Sequence, residues 1–473
     1  MSGAPRKKTA RRARKRPAQP PRPASPARRA AFAVLLRLEP TRDRPRPPRP
    51  DALIARLEDA DGQPPGDRDR ALARELVFGV LRWRRSLDYA LDTYSRRPVG
   101  KLDLPVRTAL RLGLYQLRYL DRVPASAAVH ESVSLAAAAA RPGAAGLVNA
   151  VLRAYLRADH PWPRPGGDRD LFLRAGLSYP DWIVDRALGQ LGAEGARRRL
   201  EAGNRSPTVF VRVSRRLALD EVRERLGEEG VKTERFPIAP RCLRVTSGNP
   251  QASSLFRDGA IHIQDAGSQL VAWLLPVDGA RRCLDACAAP GGKASILAGR
   301  IEPRPLIAAD LRPGRVDLLD STVRRLAADN VLRLAADAAR PPFPAGTFDR
   351  ILLDVPCSGL GTLARNPDIK WTASPARVRK LAETAGRIAR AAADLLAPGG
   401  MMLYSACSLE PEETTETVHG LLSERPGLRQ VSLADRLPEA LAPLVDDDGA
   451  LQVAPEDHGT DGYFAALLQR TDG

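Results

Sequence analysis

From about residue 260 one rhythm repeats, and it limits the possible folds more than any other feature of the chain. Short apolar runs, RCLDAC, LIAAD, VLRLAAD, FDRILLDVP and MMLYSAC, alternate with helix-like segments such as RVDLLDSTVRRLAADN and RVRKLAETAGRIARAAADLLA. Strands that alternate with helices form parallel β-α-β units, so residues 256–473 are expected to build a mostly parallel, doubly wound sheet. In such sheets ligands sit at the carboxyl ends of the strands. Several of the runs carry an acid at that end, among them Asp310, Asp337 and Asp354.

The turn after the first run, LDACAAPGGKAS, leads from a strand through glycines into a helix. Glycines let the backbone approach a ligand closely, and a helix N-terminus favours a negative group. A Walker A loop would need glycine at 287 and serine or threonine at 294, where Cys287 and Ala294 stand, and the dinucleotide fingerprint G-x-G-x-x-G is also absent. A nucleoside ligand with a compact anionic end remains. Asp310 follows Asp285 by 25 residues, close to the spacing at which an acid takes ribose hydroxyls, and Asp337 could take an exocyclic amine. A lone strand-end aspartate is as often a helix cap; three in consecutive units point to a site.

Cys357 follows Asp354 by three residues, and Cys407 closes the fifth run. Neighbouring strand ends can bring these three side chains together. A thiolate is a soft nucleophile suited to an electron-poor pyrimidine ring. Addition at carbon 6 of cytosine activates carbon 5 for methylation, an acid at ring nitrogen 3 stabilises the developing charge, and a base must then remove the carbon 5 proton. Residue types and spacing do not say which of the two cysteines attacks. Cys242, Cys283 and Cys287 read as packing thiols, since free cysteine is among the most buried residue types. C-x3-C at 283 and 287, with no second pair and no histidine nearby, is poor zinc spacing, so no metal is expected.

Ahead of this region, residues 28–160 are dominated by helical patterns. Val106, Leu110, Leu114 and Leu117 fall on one helix face, and PASAAVHESVSLAAAAA and GLVNAVLRAYLR read as two further helices around an RPG turn. HPWPRPGGDRD is a linker by composition. Residues 161–255 mix strand-like TVFVRVS and RCLRVTSG with helix-like SYPDWIVDRALGQLG and LALDEVRERLGEEG, a small α+β subdomain in which Arg205, Arg212 and Arg215 could face a phosphate backbone.

The motifs IQDAGSQ, DACAAPGGK, DVPCSGLG, NPDIKW and YSACSLEPEE together resemble the Sun/Fmu-type RNA cytosine carbon-5 methyltransferases. The helical region, with VPASAAVHESV and GLVNAVLR, is similar to the RNA-binding domain of the antitermination factor NusB. The resemblance covers nearly everything from about residue 28 onward. It implies a NusB-like all-α domain, the small α+β subdomain and a Rossmann-like class I methyltransferase domain. It further implies S-adenosylmethionine as cofactor and 16S rRNA, naked or in an early assembly intermediate, as substrate of a monomeric enzyme.

By position, Cys287, Ala288, Ala289, Pro290, Gly291, Gly292 and Lys293 would cradle the cofactor, Cys287 through its backbone. Asp310 would hold the ribose, Asp337 the adenine side, and Asp354 would lie between cofactor and base. Cys407 matches the attacking thiol and Cys357 the one that assists release. The pattern is departed from at Val355, Ala406 and Thr414, where the family usually has alanine, threonine and asparagine. The same chemistry on tRNA or DNA, or a non-catalytic antitermination factor, are the competing readings. The NusB-like domain speaks against DNA, and the intact Asp354, Cys357 and Cys407 speak against a dead enzyme.

The charge balance agrees with a polyanionic partner. Lys+Arg 74 against Asp+Glu 56 leaves +18. Residues 1–30 hold eleven of those cations and no acid, so 18 − 11 leaves only +7 elsewhere. Residues 1–27 therefore read as a disordered basic tail that adds sequence-independent phosphate contact, and the Pro-rich TRDRPRPPRP at 41–50 as a loop. No run of 18 apolar residues and no apolar leader is present. A cytoplasmic protein with reduced thiols and no membrane partner is expected.

Overall fold

The computed structural model describes residues 23–40, 47–57, 66–158 and 162–471. The basic tail up to residue 22, most of the Pro-rich stretch and the start of the linker lie outside them. The chain divides into two compact units, 1–162 and 163–473.

The first unit is helical: α1 (Pro26–Leu38), α2 (Asp67–Tyr94), α3 (Leu104–Tyr119), α4 (Ala125–Ala139) and α5 (Ala144–Arg157). Val106, Leu110 and Leu114 point into its core, as their spacing requires, and Leu117 is half-buried. The helices approach closely where side chains are missing. A Cβ placed on Gly79 would lie 1.9 Å from Tyr115 Cζ, so α2 and α3 touch there through glycine and a ring. The buried Arg111 forks onto both carboxylate oxygens of Asp88, 2.7 Å each, which ties α3 to α2.

The second unit begins with helical turns at Arg169–Leu171 and Phe172–Gly176, continues into α6 (Asp181–Ala202) and carries two sheets. β1 (Phe210–Val213), β2 (Lys232–Arg235), β3 (Cys242–Ser247) and β4 (Ile261–Ile263) form a four-stranded antiparallel sheet in the order β2-β3-β1-β4, crossed by α7 (Leu219–Glu228). β2, KTER, has no apolar run and β4 has three residues, so neither stands out in the sequence. β4 belongs to the small sheet although it follows residue 255.

The large sheet is built from β5 (Cys283–Asp285), β6 (Leu306–Asp310), β7 (Val331–Ala335), β8 (Phe348–Asp354), β9 (Leu396–Ala406), β10 (Leu428–Val431), β11 (Leu451–Val453) and β12 (Tyr463–Arg470). Its order is β10-β12-β9-β8-β5-β6-β7, with β11 beside β12. β5 to β9 run parallel, as the rhythm predicts, while β10, β11 and β12 pair antiparallel at the far side. Strand alternation sends side chains to two cores. Leu352, Leu403 and Leu467 are in register and face one core; Ile351, Leu353, Met402, Tyr404, Phe464 and Leu468 face the other.

The first core is covered by α8 (Ala266–Leu274), α9 (Gly292–Ile301) and α10 (Pro313–Arg325), and the second by α11 (Pro375–Leu395) and α12 (Thr415–Glu424). The helix starts follow from local chemistry. Pro313 and Pro375 occupy first-turn positions where no N–H is needed, and Ser374 Oγ accepts from Arg377 N at 3.2 Å.

Candidate active site

Strand order reverses at β5: β6 and β7 lie on one side of it, β8 and β9 on the other. The turns after β5 and β8 therefore diverge and leave a crevice at the carboxyl ends of both strands.

The turn after β5 is the cradle the sequence points to. Gly291 sits at φ +107° as the N-cap of α9, with no side chain capping the helix. Only glycine adopts that geometry at low cost, and among the described residues the first-turn N–H groups of α9 have no backbone acceptor, which leaves them to a ligand. Lys293 is buried on the first turn, and its Nζ donates to Asp354 Oδ2 at 2.8 Å. Burial opposes the ammonium, but Asp354 outweighs it and Lys293 stays protonated. Ser405 Oγ donates to the other oxygen, Oδ1, at 3.1 Å, because Asp354 and Ser405 are register partners on β8 and β9. The Tyr463 ring lies 5.2 Å from the ammonium.

Asp310 at the end of β6 accepts from Ala289 N at 3.2 Å, and Arg315 Nε lies 2.9 and 3.0 Å from its two oxygens. Arg315 also donates to Ala289 O at 2.6 Å, so the Ala288–Pro290 turn is clamped to the second strand. Asp285 is fully buried, and among the described residues neither of its oxygens has a hydrogen-bond partner of normal geometry. Burial, then the charge of Asp354, push its carboxyl up to about 8. An orphaned acceptor beside free helix N–H groups suits a ligand that carries an ammonium and a carboxylate together. Asp337 is placed differently from its expected strand-end position. It lies two residues past β7, where Oδ1 accepts from Ala339 N at 2.9 Å and closes its own turn.

The two cysteines meet. Parallel pairing of β8 with β9 puts the following turns side by side, and Cys357 Sγ lies 3.1 Å from Cys407 Sγ. The contact with Cys407, together with burial, holds the Cys357 thiol well above its ordinary value. The Cys357 turn is pinned by an acid that spacing did not reveal. Ser358 N and Oγ each donate to buried Glu413 at 2.6 Å, across 55 residues. Gly361 N donates to Cys407 O at 3.2 Å, which fixes the backbone beside the second thiol.

NPDIKW is structural around Lys370, which is fully buried: its Nζ donates to Asn204 Oδ1 at 2.6 Å and lies 3.6 Å from the Tyr179 ring centre. A groove of about 170 Å3, lined by Trp182, Arg205, Thr208, Gly361 and Arg365 among others, opens next to the Cys407 segment. Of the arginines expected to face phosphate, Arg205 and Arg215 are exposed but Arg212 is not. Its guanidinium turns inward to Gly292 O and Ser295 Oγ, 2.8 Å each, because β1 is buried along its whole length. Among the described residues no group of three His, Cys, Asp or Glu could hold a metal ion, and no helix is long and apolar enough to cross a membrane.

Comparison with known proteins matches this arrangement segment by segment. Residues 271–469 match the 16S rRNA methyltransferase RsmB/F family, 25–157 the NusB family, and 179–251 the ferredoxin-like domain of RsmF/B-like methyltransferases. A Bacillus subtilis (strain 168) protein named probable ribosomal RNA small subunit methyltransferase B is 34% identical over 409 residues, 85% of this chain and 91% of its own. The ribosomal RNA small subunit methyltransferase B of Pseudomonas putida (strain KT2440) is 34% identical over 429 residues, 88% and 93% of the two chains. The crystal structure of a methyltransferase homolog from Pyrococcus horikoshii superposes with a TM-score of 0.53 at 25% identity, over 65% of this chain and all of that one. The chain belongs to the RsmB/F family of S-adenosylmethionine-dependent 16S rRNA methyltransferases, with a NusB domain ahead of a ferredoxin-like subdomain and the methyltransferase domain.

Proposed function

We propose that the chain methylates carbon 5 of a cytosine in 16S rRNA through a covalent cysteine-cytosine intermediate, with Cys407 as nucleophile. The observation that carries this reading is the 3.1 Å approach of Cys357 and Cys407 beside Asp354. Two thiols are what this reaction needs, one to attack and one to help release. Contact with Cys407 and burial disfavour a thiolate at Cys357, and the family motif that Cys407 matches assigns it the attack, which leaves Cys357 to assist release.

S-adenosylmethionine supplies the methyl group. The residues fit it: the 287–293 turn would hold its methionine portion, with the free N–H groups of α9 toward the carboxylate and Asp285 toward the ammonium. Asp310, already oriented by Arg315, would take the ribose, and Asp337 the adenine side. Cys407 gives its sulfur pair to carbon 6, and the C5=C6 pair moves so that carbon 5 becomes nucleophilic. Asp354, held by Lys293 and Ser405, is the group placed to relay the proton that Cys407 gives up to ring nitrogen 3 as charge develops there, and to take it back once the methyl group is on carbon 5. After methyl transfer a base takes the carbon 5 proton; that C–H pair re-forms C5=C6, and the S–C6 bond breaks to return the thiolate. Cys357 assists this last step. Residues 28–160 and 161–255 serve as the RNA-holding parts, and the groove beside Cys407 admits the substrate strand.

The test uses full-length protein with 16S rRNA and cofactor, read as a covalent adduct on a denaturing gel. Cys407→Ser should give neither methylation nor adduct, and Cys357→Ser should accumulate adduct. An adduct lost with Cys357 but kept without Cys407 sinks the assignment. Bisulfite mapping of rRNA from cells with and without the protein identifies the cytosine.

A further inference from the structure

A second pocket, of about 70 Å3, lies between β1 and α9 and has no balance of charge. Arg212, Arg215, Arg216, Arg241 and Arg300 line it, against one carboxylate, Glu302. Glu302 is already engaged by Arg216 at 3.1 Å. Three of these cations are satisfied by neutral acceptors alone. Arg212 bonds Gly292 O and Ser295 Oγ, Arg241 bonds the carbonyls of Val213, Ser214 and Leu217, and Arg300 bonds those of Ala272 and Leu275.

Burial works against the charges of Arg212 and Arg241, which no acid opposes. It lowers Arg212 to about 9, helped by Arg325, and lowers Arg241 as well, helped by Arg215. Arg215 lies exposed at the mouth, stretched across Gly299, and takes part in no hydrogen bond or ion pair among the described residues. Hydrogen bonds to neutral acceptors do not offset the charge of buried Arg212 beside half-buried Arg241 and Arg300 and exposed Arg215. An anion would.

We propose that this pocket is a phosphate site that takes a backbone phosphodiester of the substrate RNA. Guanidinium forks match phosphate oxygens, and the volume admits about five water-sized groups, enough for a tetrahedral anion. Arg212 forms its floor and holds the first turn of α9, so the phosphate is registered against the cofactor turn by one side chain. The proposal rests on the family's RNA substrate and not on the cysteine chemistry.

Binding of unmodified 16S rRNA to full-length protein, without cofactor and as a function of salt, tests it independently of catalysis. Loss of one phosphate contact in Arg215→Ala should lower the slope of log affinity against log salt by roughly 0.7 to 0.9. The affinity deficit then shrinks about threefold between 50 and 200 mM salt. Arg215→Lys should restore the slope, and in turnover Arg215→Ala should raise KM with kcat unchanged. Because Arg215 is exposed and unpaired, its variants should melt like the parent. Unchanged affinity and slope in Arg215→Ala overturn the proposal. So does a stabilisation by inorganic phosphate that depends on Arg215 while the RNA slope does not, since that describes a site for free anions only.

Discussion

Asp285→Asn replaces a buried carboxyl with a group of the same shape that does not titrate. Burial, then the charge of Asp354, push the Asp285 carboxyl up to about 8 in the fold, from 3.8 for an ordinary aspartate. Between those values the folded chain binds one proton more than the unfolded chain. Stability from this group is therefore fully present below about pH 4 and is lost as pH rises toward 8. The loss is on the order of 1 kcal/mol per pH unit, or a few kcal/mol between pH 5 and 7. In the Asn variant that slope should vanish. The buried amide shifts the whole curve by about 1–3 kcal/mol through unmade hydrogen bonds, but it does so equally at every pH. Urea unfolding of both proteins at pH 5, 6 and 7 reads the difference directly. Parallel curves would show that the carboxyl ionises freely in the fold, and the orphaned-acceptor argument would fall.

Lys293→Met should destabilise by about 1–3 kcal/mol, since it leaves the half-buried Asp354 without its cation. In a double-mutant cycle with Asp285→Asn, coupling should appear only as pH rises above about 8, where Asp285 ionises and the Lys293 cation favours its charge; strict additivity there would argue against the coupling. In Gly361→Ala a Cβ would lie 2.5 Å from Gly462 O and 3.0 Å from Cys407 O, both backbone atoms. About 1–3 kcal/mol of stability should be lost along with turnover as the Cys407 segment moves, measured by denaturant unfolding beside kcat. Gly79→Ala should cost a similar amount in the helical unit while leaving kcat at saturating RNA intact, since Tyr115 must leave its place.

What could be read from the sequence was whatever local pattern determines. Apolar runs ending in acids marked β6 and β8, and parallel pairing then had to bring Cys357 and Cys407 to one edge. Long-range contacts left no such trace. Nothing near Ser358 announces that Glu413 holds it, and nothing near Asp285 says that its carboxylate lacks a partner. An arginine in an alternating strand reads as a surface cation, yet Arg212 is buried, because the small sheet packs its β1 against α9. Asp337 shows the limit of counting: it ends an apolar run, but the strand stops at Ala335.

Phe210, Ile238, Ala239 and Cys242 of the small subdomain lie in the same apolar cluster as Leu270, Leu297 and Leu352 of the large one, and β4 runs within three residues into α8. The two sheets are thus one cooperative body, whatever their separate ancestry. A chimera that exchanges methyltransferase domains among relatives at residue 255 would cut through a shared interior and strip β1 of its edge partner. A junction in the 163–168 stretch, ahead of all of these contacts, keeps that interior whole.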